Sequence, residues 1–113
     1  MSLLSFFRKS QNISSISLSG IIAPNMGRRK GLNLYELDKV IEQAFSVKNL
    51  KAVALQINSP GGSPVQSEMI SKRIRDLSEE KNIPVLAFVE DVAASGGYWL
   101  PCAADEIFAS KAS

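Results

Sequence analysis

Two periodicities alternate along this chain. Ile13, Ile16, Leu18 and Ile21-Ile22 lie in a serine-rich run of β-branched character, which predicts a first strand ending between Gly20 and Pro24. A loop through Asn25 to Gly31 follows. Asn33, with Glu36 three residues on, is the Asn-x-x-Glu capping-box pattern of a helix start. Leu34, Leu37, Val40, Ile41, Ala44 and Phe45 then recur every three or four residues, so this helix should bury one face. Asn49 and Lys51 mark the turn out. Ala52-Val53-Ala54-Leu55-Gln56-Ile57 is almost continuously apolar, as expected of a central strand covered on both faces. It stops at Asn58-Ser59-Pro60-Gly61-Gly62.

A second helix is expected from there. Ser63 reads as its N-cap, Pro64 as its first residue, and Gln66 as the partner that completes a capping box. Its core stripe is read as Val65, Met69, Ile70, Ile74 and Leu77, and it should run to about Lys81. Asn82 suits a left-handed stop before Pro84. Val85-Leu86-Ala87-Phe88-Val89 predicts another buried strand. After Glu90-Asp91-Val92 and Ala93-Ala94-Ser95-Gly96-Gly97, a short apolar helix is expected from Tyr98 to Ala104, bent where Pro101 deletes a backbone bond. Glu106-Ile107-Phe108-Ala109 predicts one more strand. Strands alternating with helices imply an α/β fold with a parallel, helix-covered sheet.

The 113 residues are 45% hydrophobic and 21% charged, which suits one globular domain or part of one. Because the run ends just after a strand, residues 13–113 are expected to be the N-terminal part of a longer domain. Residues 1–12 read as a lead-in, disordered or strand-like, that could also touch a membrane surface. Its apolar cluster precedes Arg8-Lys9, the reverse of a secretory signal. No run approaches the roughly 18 apolar residues of a membrane span. With no signal and no disulfide, a reducing, cytoplasmic setting is the default.

Counts near zero narrow the chemistry. There is no histidine, so neither a Ser-His-Asp nor a Cys-His set can be built. The single cysteine, Cys102, excludes an internal disulfide and a paired-cysteine zinc site, and it reads as buried and inert. A net charge of +2, with Gly27-Arg28-Arg29-Lys30 as the longest basic stretch, is too mild to argue for nucleic acid. Glu90 and Asp91 read as turn or solvent carboxylates, and no metal site is expected.

Two strand ends carry unusual residues, and in parallel α/β sheets ligands bind at the carboxyl ends of strands. At Asn58-Ser59-Pro60-Gly61-Gly62, adjacent glycines could turn their amides toward a developing oxyanion, helped by the positive end of the following helix. The plainer reading is a tight turn that needs glycine sterically. At Ala93-Ala94-Ser95-Gly96-Gly97, a serine between small residues resembles a nucleophile elbow, with the Gly96 amide as a second oxyanion donor. Here the plainer reading is an N-cap serine with glycines for packing. Together, at one sheet edge, the two favour an acyl-transfer site. A serine needs a base, and without histidine a buried lysine is the natural one. Lys9, Lys30, Lys39, Lys48, Lys51, Lys72, Lys81 and Lys111 are available, and none sits in a convincing setting. Tyr98 and Trp99 could line an apolar groove or simply pack.

At these motifs the sequence resembles the signal peptide peptidase A (SppA) family of bacterial serine peptidases, including its SohB-like members. The resemblance runs from about Gly31 to Ser110. It is carried by Ile57-Asn58-Ser59-Pro60-Gly61-Gly62-Ser63, Val92-Ala93-Ala94-Ser95-Gly96-Gly97-Tyr98-Trp99 and Ala103-Ala104-Asp105-Glu106-Ile107. It implies a Clp/crotonase-like fold and a Ser-Lys dyad. Ser95 would be the nucleophile and Gly62 and Gly96 the oxyanion-hole residues, while Gly61, which shapes the first loop, and Tyr98 would bind substrate, the peptide lying extended along the Gly61-Gly62 loop. It places the base lysine beyond Ser113, so the 113 residues alone should be inactive. Pro101 departs from the family pattern, as does the lack of the membrane anchor of longer members.

The resemblance further implies a peptide substrate such as a cleaved signal peptide or a membrane-derived segment, and a homo-oligomer. It implies no cofactor, and a cytoplasmic or inner-membrane-associated bacterial setting with peripheral membrane contact. Two rivals stay open: a non-catalytic peptide-binding or assembly subunit of the same fold, and a crotonase-type acyl-CoA enzyme.

Overall fold

The computed structural model describes residues 4–10, 12–90 and 101–109, with backbone only for Leu4–Ser10 and Cys102. Five strands form one sheet in the order β1-β2-β3-β4-β5: β1 (Leu4–Ser10), β2 (Ile13–Ser19), β3 (Ala52–Asn58), β4 (Val85–Val89) and β5 (Glu106–Ala109). β1 is antiparallel to β2, and every later pairing is parallel. Helix α1 (Leu34–Phe45) links β2 to β3, and α2 (Pro64–Lys81) links β3 to β4. The lead-in, expected to be disordered or strand-like, thus contributes β1.

Register explains the core. Ile16, Leu55 and Ala87 lie side by side across three strands, as do Leu18, Ile57 and Val89. Partners across a sheet share a face, and this face joins Leu37 and Ile41 of α1 and Ile70 and Ile74 of α2 in one buried cluster. Ser14, fully buried on the same face, satisfies its hydroxyl by donating to the Ala44 carbonyl at 2.6 Å.

Two expectations are corrected. The apolar run of β3 predicted cover on both faces, yet Gln56 is exposed, as are Phe88 and Phe108 beside it in register. Among the described residues, the helices cover one face of the sheet only. The α2 stripe also lies elsewhere. Val65 and Met69 are exposed, and the buried residues are Ser67, Ile70, Ile74, Leu77 and Ser78. Two small serines hold inward positions because each disposes of its hydroxyl locally, Ser67 on the Ser63 carbonyl and Ser78 on the Ile83 carbonyl. Neither reads as apolar in a periodicity count.

The helix starts fall where the caps predict. Asn33 accepts from the Glu36 N–H and Ser63 from the Gln66 N–H. The return halves of the capping boxes go elsewhere. The Gln66 side chain accepts from the Leu34 N–H at 3.1 Å, tying the first turn of α1 to that of α2, while Glu36 accepts from Asn25. Asn82 ends α2 in the left-handed conformation, φ 56°. Of the short helix expected from Tyr98 to Ala104, residues 101–104 lie within the described residues: Pro101–Ala103 form a 3-10 turn that Pro101 opens, and Ala104 falls outside it.

Candidate active site

The parallel register puts the exits of β3 and β4 at the same sheet edge. Ile57 pairs with Val89, and Glu90 N–H extends the ladder by donating to the Ile57 carbonyl at 3.0 Å. The chain therefore leaves β4 toward Asp91 about one strand spacing, ~4.8 Å, from where it leaves β3 toward the glycine pair. Ser95, Gly96 and Tyr98 lie outside the described residues, so the structure describes Gly61 and Gly62 among the expected site residues.

Those two glycines play different parts. Gly61, φ 100°, is buried, and both its backbone groups are taken: its N–H donates to Ser59 Oγ at 3.1 Å and its carbonyl accepts from Ile22 N–H at 2.8 Å. Gly62 is exposed and forms a parallel bridge to Ile22. The bridging bonds are made by its neighbours, Gly61 O and Ser63 N, the latter donating to the Ile22 carbonyl at 2.7 Å. In a parallel bridge of this kind the central residue's own N–H and C=O point the other way. The Gly62 amide therefore faces away from Ile22, toward the open edge.

Only glycine fits there. With φ 142° and a would-be Cβ 2.0 Å from the Ile22 carbonyl oxygen, a side chain at Gly62 would collide with backbone. Ile22 is itself flanked on its other side by Leu32, through Ala23 N–H to Leu32 O (3.0 Å) and Leu32 N–H to Ile21 O (2.8 Å). Three short extended segments thus stand side by side beyond the main sheet, and Gly62 is on the outer one.

Sequence reasoning missed several structural members of this region. Ser59, 4% exposed, donates to the Gly20 carbonyl at 2.5 Å and so ties the end of β2 to the turn after β3. Asp105 accepts from the Val85 N–H at 2.7 Å and from Arg75 at 3.2 Å, which anchors the start of β5 to β4 and α2. An open groove of about 230 Å³ lies at the ends of β4 and β5, lined by Phe88, Val89, Glu90, Phe108 and Ala109. Phe88 and Phe108 are matched in register there, and their rings stack with centroids 5.1 Å apart, a pairing that only the strand register reveals.

No described lysine offers a desolvated base. Lys30, Lys39, Lys48, Lys51, Lys72 and Lys81 are all exposed, and Lys72 is paired with Asp76 at 2.9 Å. That agrees with the sequence, in which none of these lysines sits in a convincing setting for a base.

Comparison with known proteins adds the family. The profile described as Peptidase family S49 matches residues 78–113, the stretch that holds Ser95 and Gly96. Protease 4 of Haemophilus influenzae is 30% identical over 108 residues, covering 96% of this chain and 17% of its own length. The chain is similar to the SppA-like members of peptidase family S49. The chloroplastic serine protease SPPA of Arabidopsis thaliana is 43% identical over 77 residues, or 66% of this chain and 11% of the plant protein. Two Brucella proteins named Na(+)/H(+) antiporter NhaA are 53% identical over 85 residues, matching 75% of the chain. The chain spans 12% of their length. Among the described residues no helix is long and apolar enough to cross a membrane.

An enoyl-CoA hydratase from Mycobacterium avium subsp. paratuberculosis superposes with a TM-score of 0.56 at 15% identity, over 93% of this chain and 46% of that one. At that identity the likeness concerns the fold, and the chain has the expected Clp/crotonase-like architecture.

Proposed function

We propose that this chain carries the nucleophile and the oxyanion donors of a Ser-Lys serine peptidase. Ser95 Oγ attacks the scissile carbonyl carbon, and its proton passes to a lysine beyond the 113 residues. The negative charge that collects on the carbonyl oxygen is held by the N–H groups of Gly62 and Gly96. As the intermediate collapses, the peptide C–N bond breaks and the lysine returns the proton to the leaving amine, giving an acyl-Ser95 ester that water then hydrolyses. Gly61 shapes the first loop, and Tyr98 contacts substrate. The peptide lies extended beside Gly62, whose outward N–H and C=O can pair with it as a strand would. Resemblance to SppA supports cleaved signal peptides or membrane-derived hydrophobic segments as its substrates. It also suggests a homo-oligomer in a bacterial cytoplasmic or inner-membrane-associated setting, working without cofactor or nucleic acid.

One observation carries this reading. The exposed Gly62 amide is turned outward at the sheet edge where β4 delivers the chain toward Ser95. The exposed lysines support placing the base elsewhere.

The test is hydrolysis of a synthetic signal peptide by the full-length protein. Wild-type protein should cleave it, Ser95→Ala should abolish cleavage, and the 113-residue chain alone should show none. Cleavage that survives Ser95→Ala, or that the 113 residues perform alone, would overturn the proposal.

A further inference from the structure

The Gly62 amide can hold an oxyanion only if it is held still, and two glycines in a row are the least restrained backbone a chain can offer. The peptide plane between Gly61 and Gly62 carries the Gly61 carbonyl on one side and the Gly62 N–H on the other. Ile22 N–H holds that plane through the Gly61 carbonyl at 2.8 Å. The preceding plane, between Pro60 and Gly61, carries the Gly61 N–H, and it is held by Ser59 Oγ at 3.1 Å. With both flanking planes fixed, the torsions of Gly61 are fixed, and so is the direction of the next amide.

Ser59 is in turn immobilised. Its hydroxyl proton goes to the Gly20 carbonyl at 2.5 Å, its side chain is buried, and Gly20 N–H is bonded back to the Asn58 carbonyl at 3.3 Å. The oxygen thus joins the end of β2, the end of β3 and the glycine pair.

From this geometry we infer that Ser59 is a positioning residue, whose hydroxyl aims the Gly62 N–H at the reacting carbonyl without touching substrate. The catalytic consequence rests on the peptidase reading above, whereas the aiming itself does not.

Residue-resolved hydrogen exchange on the intact protein tests the aiming. In the wild type, the Gly61 amide should exchange at least tenfold more slowly than the Gly62 amide. In Ser59→Ala, Gly61 exchange should accelerate at least tenfold and the Gly62 resonance should shift, while Leu55 and Ala87 in the core keep their rates. Turnover of the full-length protein tests the consequence. Because an oxyanion donor contributes roughly 10²–10³ to kcat, a mis-aimed one should cost Ser59→Ala about tenfold or more in kcat, with KM within twofold.

Equal exchange of Gly61 and Gly62 in the wild type would overturn the inference, even if the variant did not fold. So would acceleration spread evenly over the core amides, or a variant with unchanged kcat. Should hydrolysis survive Ser95→Ala, the peptidase reading falls, and the exchange pattern still decides whether Ser59 aims the amide.

Discussion

At Gly62 a single hydrogen atom stands where any other residue would place a carbon 2.0 Å from the Ile22 carbonyl oxygen. Gly62→Ala must push the two segments apart, breaking the bonds from Ile22 to Gly61 and from Ser63 to Ile22. The expected result is a loss of at least 10² in kcat together with a lowered Tm, read from turnover and a thermal melt. The need for glycine here was legible in the sequence, but its cause was not. Two adjacent glycines announce an unusual turn, and the strand-like neighbour that crowds the second lies forty residues earlier. Ser59 was opaque for a similar reason. Its partners, the Gly20 carbonyl and the Gly61 N–H, are backbone atoms that no side-chain pattern reveals.

Elements were easier to read than faces. Both helix starts announced themselves through Asn33 and Ser63, and the α2 stop through Asn82, because caps are local chemistry. The buried face of α2 was misplaced because Val65 and Met69 look apolar and Ser67 and Ser78 do not, while tertiary contact favours the serines. Mutation should separate the two stripes. Ile74→Ala empties a fully buried site and is expected to cost about 2–5 kcal/mol, whereas Met69→Ala, on the exposed flank, should cost less than about 1 kcal/mol. Urea titration of the two variants checks this, and equal losses would contradict the assigned face. Asp105 acts between elements. Asp105→Ala leaves the Val85 N–H and Arg75 without this acceptor, and a destabilisation of about 1–3 kcal/mol is expected in the same titration.

On the scale of the whole molecule, sequence alternation was enough for a parallel α/β sheet, since strand and helix periods differ and each connection is long enough to cross over. What alternation could not show is that one sheet face is left open by these helices, with Phe88 and Phe108 stacked upon it. The same parallel order gathers function. Strands that run together end together, so the glycine pair after β3 and the chain leading to Ser95 after β4 depart from one edge.

That convergence makes the central claim testable with one reagent. Full-length protein treated with a fluorophosphonate probe, digested and mapped by mass spectrometry should carry the label on Ser95, and Ser95→Ala should carry none. A label on another serine, or a Ser95 that stays unmodified while the protein cleaves peptide, would contradict the account.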